Sequence, residues 1–134
     1  MQRNKYLEDL GIPLNRIGTN FCDDTDKRAK RWKKQRKKYG FDERETWCLD
    51  HIFIEWLYSH IKMFKQTGGK CIDLNFHKFI FEEKEYTQKE AMNYILKVFK
   101  RYLLSKDPEW DSSLMEEVQK CVRLWAEILP AMWW

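Results

Sequence analysis

Residues 27–38 read KRAKRWKKQRKK, nine Lys and Arg in twelve positions with Trp32 among them and no acid. Their chemistry is charge rather than bond-breaking. A lysine ammonium is a compact point charge, and an arginine guanidinium is a planar fork that takes phosphate with two parallel hydrogen bonds. On a helical wheel Ala29, Trp32, Gln35 or Arg36, and Tyr39 form a narrow apolar stripe, so a helix here would dock through Trp32 and Tyr39 and fan its cations outward. Arg28, Arg31, Lys34 and Arg36 are the phosphate candidates. Trp32 and Tyr39, with Trp133 and Trp134 from the PAMWW at residues 130–134, are the candidates to stack on a base. The same cations suit nucleic acid, a phosphorylated small molecule or an acidic protein surface. The bland alternative is a solvated face partly neutralised by the rest of the chain, where 16 basic residues stand against 21 acidic ones although the total is +4. For the Trp pair the alternative is packing back on the domain, since bare indoles are costly in water.

A second polar set lies in the segment ETWCLDHIFIEWLYSHIKMFK. His60 falls near the middle of its apolar side, Thr46 to one flank and Asp50 at the edge. Asp50 and His60 are ten residues apart, about 15 Å along a helix, so they share neither a metal nor a proton as neighbours. Each reaches toward another element, or His60 is a hydrogen-bonded core histidine and Asp50 a packing residue. His51 points to the opposite side and makes no metal pair with His60. The chain has no nucleophile elbow, no HExxH, no glycine-rich phosphate loop and no close carboxylate pair in an apolar run. Glu82, Glu83 and Glu85 are most simply solvated turn charges. The pattern therefore predicts a binder with no cofactor, no metal and no catalytic residue, and an enzyme is the weaker reading. Cys22, Cys48, Cys71 and Cys121 form no CxxC pair and have no histidine at zinc spacing, which fits reduced thiols in a cytoplasm. The N-terminus lacks the apolar stretch of a signal peptide, and no apolar run approaches a membrane span. A soluble, intracellular protein without membrane contact is expected.

These side chains must be positioned by few elements, because 134 residues suit one continuous core. The spacing predicts an irregular arm over 1–22 with a helical turn at 5–10, then the basic helix over 25–39, started by Asp23, Asp24 and Asp26 and stopped by Gly40. Asp42 and Glu45 have the pattern of a capping box for a long helix over 43–66. Its expected inner face is Leu49, Phe53, Trp56, Leu57, Ile61 and Phe64, widened by Ile52, Ile54 and Met63. Residues 71–86 alternate and predict a β-flap, a hairpin or three short strands. Thr87 and Glu90 cap a helix over 88–105 with Met92, Ile95, Phe99 and Tyr102 inward. Asp107 and Pro108 then read as the start of a last helix carrying Leu114, Val118, Cys121, Val122, Trp125, Ile128 and Leu129, closed by Pro130. The fold class is mainly α, a compact single-domain bundle of about four helices with a small β-hairpin between the second and third. The 21 aromatics, seven of them Trp, exceed what such a core needs, so some rings face a ligand, a partner or a second copy in a homo-oligomer.

The segment YGFDERETWCLDHIFIEWLYSHIKMFK, with DLNFHKF, EYTQKE and LPAMWW after it, resembles a group of small bacteriophage and prophage accessory proteins. In that group a Gly-aromatic-Asp turn leads into E-T-W-x-L-D and a long helix, often with an aromatic tail. Asp42, Glu45, Thr46, Trp47, Leu49 and Asp50 match the shared block, and the likeness covers about residues 39–134. The resemblance implies an inhibitor of host defence working in the host bacterial cytoplasm. Joined to the cationic helix and the surplus rings, it suggests a protein that sequesters an anionic, cyclic nucleotide immune signal without chemistry. The alternatives are a protein-interaction inhibitor of a host defence effector, in the manner of an anti-CRISPR, and plain nucleic-acid binding by the basic helix.

Overall fold

Thr87 and Glu90 show how local chemistry starts a helix. The Thr87 hydroxyl accepts from the Glu90 amide at 3.1 Å and the Glu90 carboxylate accepts from the Thr87 amide at 3.2 Å. This is a complete capping box. The computed structural model that contains it describes residues 5–11 and 25–134. It is mainly helical with one two-stranded hairpin, as the sequence pattern predicts. In chain order the elements are α1 (Ala29–Tyr39), α2 (Arg44–Trp47), α3 (Leu49–Thr67), β1 (Lys78–Phe81), β2 (Lys84–Thr87), α4 (Gln88–Leu104) and α5 (Ser112–Ile128). They divide into two compact units, Met1–Leu57 and Tyr58–Trp134, with the division falling within α3.

In the first unit the expected turn near the N-terminus is a 3-10 helix, Glu8–Leu10, closed by Gly11, and the preceding Leu7 is buried. The rest of the expected arm, Cys22 and the Asp23 and Asp24 helix start lie outside the described residues. Helix α1 begins at Ala29, four residues later than the charge pattern suggests. Asp26 folds its carboxylate onto the Arg28 amide at 2.8 Å and onto the Arg28 guanidinium at 2.9 Å, which closes a turn there instead of a helical cap. Gly40 stops α1 as expected, at φ 85° with its amide on the Arg36 carbonyl at 2.9 Å.

The long helix expected over 43–66 is broken. Residue Cys48 leaves helical geometry at φ −129°, ψ 66°, so a short α2 precedes α3. Only half of the expected capping box forms: the Asp42 amide donates to Glu45 at 3.0 Å, while the Asp42 carboxylate serves Arg44 instead. Helix α3 buries only part of its expected inner face, together with Tyr58. Ile52, Ile54, Leu57, Tyr58 and Ile61 are buried, whereas Leu49, Phe53, Trp56 and Met63 are exposed. The apolar residues nearly encircle this helix, so the wheel alone does not fix its phase.

In the second unit the alternation at residues 71–76 makes no strand. Asp73 accepts from the Asn75 amide at 2.9 Å and draws the chain into a turn that leaves Leu74 buried. The hairpin follows, pairing Phe79 with Tyr86 and Ile80 with Glu85. Its two-residue turn is Glu82-Glu83, both left-handed at φ 49° and 64°, where Asn or Gly is the usual occupant. Tyr86 is buried and stacks on Tyr94 with ring centroids 6.3 Å apart, and Glu82 reaches Lys120 at 3.4 Å and Arg123 at 3.5 Å on α5. Asp107 and Pro108 open a 3-10 turn rather than α5. The cap is Asp111, whose carboxylate accepts from the Leu114 amide at 3.0 Å. The core lies between Met92, Ile95, Phe99 and Tyr102 of α4 and Leu114, Val118, Cys121, Leu124 and Ile128 of α5. Of the other expected α5 positions, Leu129 is exposed and lies with Pro130 in a closing 3-10 turn.

The left-handed turn gives a direct test. Glu83→Gly is expected to raise stability by on the order of 0.5–1 kcal/mol, since a side chain resists this conformation. Chemical denaturation checks it, and an unchanged or lower midpoint would show that the turn carries no such strain.

Candidate functional site

Of the four cations singled out for phosphate, the three arginines already hold carboxylates. The turn at Gly40 brings Asp42 and Glu43 back beside α1. Arg36 and Arg44 both bind the Asp42 carboxylate, Arg44 through Nε at 2.9 Å and a terminal nitrogen at 2.9 Å. Arg31 binds Glu43 through Nε at 2.8 Å, and Arg28 binds Asp26. Asp42 and Arg44 are each 1% exposed, so this pair belongs to the interior of the unit. Burial pushes the Asp42 carboxyl up, yet the Arg44 and Arg36 hydrogen bonds and the Arg44 amide together outweigh it and hold it at about 2. Glu43 is also lowered, by Arg31 first and then by the Trp32 N–H.

Trp32 is fully buried and is no stacking platform, which corrects that part of the expected site. Its Nε1 donates to Glu43 at 2.8 Å, its ring meets the edge of Trp47 at 5.8 Å, and the Arg44 guanidinium lies over it at 4.4 Å. Tyr39 does not dock α1 either. It is 58% exposed and stands 6.4 Å from the exposed Phe41 ring, making a small aromatic shelf just past the helix end.

The opposite side of α1 is left to lysines. Lys30, Lys33, Lys34 and Lys37 fall within an arc of about 100° on a helix about 16 Å long, with Lys38 at its edge. All five are exposed, and among the described residues none meets a carboxylate. Sequence reasoning picked Lys34 from this row and missed the division of labour. The available signal was the Asp42-Glu43 pair directly beyond the Gly40 stop.

The other candidates are not assembled into a site. The Thr46 hydroxyl donates to the Glu43 carbonyl at 2.7 Å, as part of the turn into α2. Asp50 is exposed near the start of α3, and His60, exposed rather than in the core, contacts the Ser59 hydroxyl at 3.2 Å. Trp133 and Trp134 belong to the second unit. Both are exposed, with Trp133 donating to the Pro130 carbonyl at 3.1 Å and Trp134 lying against Gly68. The described thiols Cys48, Cys71 and Cys121 are free, and burial pushes Cys121 up to about 12. Among the described residues no cluster could hold a metal ion, and no helix is long and apolar enough to cross a membrane.

One titratable group escaped the sequence reading. Glu55 of α3 is 2% exposed, its Oε1 has no hydrogen-bond partner, and its Oε2 lies 3.9 Å from the His51 imidazole. Burial pushes its carboxyl up to about 7. No family model, no curated protein and no solved structure matches this chain.

Two carboxyls thus pull stability in opposite directions. Asp42→Asn leaves Arg44 buried without its charge and is expected to cost about 3 kcal/mol, lowering the denaturant midpoint. A loss under about 1 kcal/mol would mean that the network contributes little. Glu55 keeps its proton when folded at pH values where the unfolded chain has lost it. Stability is therefore expected to fall as pH rises from 4.5 to 7, by roughly 2–3 kcal/mol. Glu55→Gln should flatten that slope in thermal melts, and an unaltered slope would assign it to other groups.

Proposed function

We propose that this protein is a binder of nucleic-acid phosphates that performs no chemistry, and that the lysine row of α1 is its contact surface. The observation that carries this reading is the separation of roles on one helix. The arginines are paired with carboxylates, Arg36 largely buried and Arg31 at the surface, whereas the lysines face outward without carboxylate partners. An open row of mobile ammoniums suits an extended polyanion, because neutralising successive phosphates releases counterions without demanding a shaped pocket. Tyr39 and Phe41 at the end of the row give a surface on which an unpaired base stacks. The setting we propose, suggested by the resemblance read in the sequence of residues 39–134, is counter-defence inside a bacterial host. The competing use of α1, as the seat of a sequestered cyclic nucleotide, is less well supported. Trp32 is buried and Arg28, Arg31 and Arg36 are occupied, so Lys34 and Tyr39 alone remain of the residues it calls for on that helix.

Fluorescence polarisation with a labelled single-stranded oligonucleotide tests the proposal. Binding should weaken steeply with salt, with a slope of about −0.7 per phosphate neutralised. Lys33→Glu with Lys37→Glu should lower affinity by about tenfold or more at low salt. Absence of binding at low salt, or affinity unmoved by the double reversal, overturns it. Capture of an acidic host protein instead would transfer the row to a protein partner.

A further inference from the structure

The second unit holds a cleft of about 470 Å³, walled by Lys65 at the end of α3, Gly69 after it, Asp73, Leu74 and Asn75 of the following turn, and Lys89 in the first turn of α4. Its walls are fixed by main-chain bonds. The Lys89 amide donates to the Leu74 carbonyl at 2.9 Å and the Gln88 amide to the His77 carbonyl at 3.1 Å. Lys65 is steered by a hydrogen bond to Asn93.

Like charges collect here. The Lys65 ammonium is drawn below its ordinary range by burial first, and then by the neighbouring ammoniums of Lys89 and Lys62. Among the described residues, Lys65 and Lys89 have no carboxylate partner. Asp73 is turned into its own loop by one oxygen, which accepts from the Asn75 amide, and its carboxylate adds an acceptor to a site otherwise rich in donors. An aromatic ring packs on Gly68, the residue that precedes Gly69 of the cleft wall. The pyrrole edge of Trp134 lies on Gly68, so close that a Cβ there would sit 2.6 Å from Cδ1, while the indole remains 60% exposed.

We propose that this cleft binds a mononucleotide, with Lys65 and Lys89 on the phosphates, Asp73 accepting from a sugar hydroxyl and the indole of Trp134 stacking on the base. Two cations alone would mark only a phosphate seat. The hydroxyl acceptor and the exposed ring beside it are what point to a nucleotide. Gly68 has a defined part in this arrangement, since any side chain at that position displaces the indole. The proposal uses none of the α1 residues and does not rest on the reading of that helix.

Isothermal titration of the full chain with ADP, and separately with inorganic phosphate, tests it. ADP is expected to bind more tightly than phosphate. Lys65→Gln and Lys89→Gln should each weaken ADP about tenfold, the loss of one charge-assisted contact. Lys89 is exposed, so its variant keeps the test open if replacing Lys65 disturbs the fold. Trp134→Ala and Gly68→Ala should weaken ADP by a similar factor and leave phosphate unchanged. No heat with ADP overturns the proposal, as does wild-type affinity in both lysine variants. Equal losses for ADP and phosphate in the Trp134 and Gly68 variants overturn the stacking role. Oligonucleotide binding is read in its own titration, so failure of one reading is told apart from failure of the other.

Discussion

The buried, ion-paired carboxylate of Asp42 organises the first unit. It takes hydrogen bonds from two guanidiniums and an amide, and it ties the end of α1 to α2. An ion this deep is tolerable only when its partners are in place. The demand reaches outward: Arg44 is drawn inside, its face covers Trp32, and Trp32 in turn bonds Glu43, which holds Arg31. The arginine fork supplies the geometry this network needs, with several donors in one plane. Lysine has no such fork, and the lysines are left on the side that faces water.

How well the sequence foretold the fold depends on how far the deciding contact lies along the chain. Helix α4 was legible to within a residue at both ends because its cap spans three positions and its apolar period is unbroken. Gly40 was legible as a stop for the same reason. The break at Cys48 was not, since α2 is held by Asp42 and by the packing of Trp47 on Trp32, a contact that the repeat of α3 does not reveal. The turn at Asp73 shows the converse hazard: Ile72, Leu74 and Phe76 alternate as a strand does, yet one side-chain bond to a nearby amide overrides the pattern.

The candidate sites divide in the same way. The charge of residues 27–38 was plain, and the cationic row it predicts exists. Which cations are available was not plain, because composition counts a paired arginine and an open lysine alike. The cleft at Lys65 and Lys89 was invisible for a simpler reason. Its members come from α3, the turn at 71–77 and α4, and no short motif joins them. Of the rings singled out in the sequence, Tyr39, Trp133 and Trp134 are exposed, while Trp32, the ring embedded in the basic run, is the one that vanished inside.

The hairpin turn at Glu82-Glu83 bears on what holds the two strands together. Two glutamates held at positive φ oppose their own turn, so the hairpin has little tendency to close by itself. What closes it comes from outside: Tyr94 of α4 under Tyr86, and Lys120 and Arg123 of α5 around Glu82. Those partners come from both helices of the unit. In the folded unit the hairpin is therefore held shut by the helices it lies on rather than by its own turn.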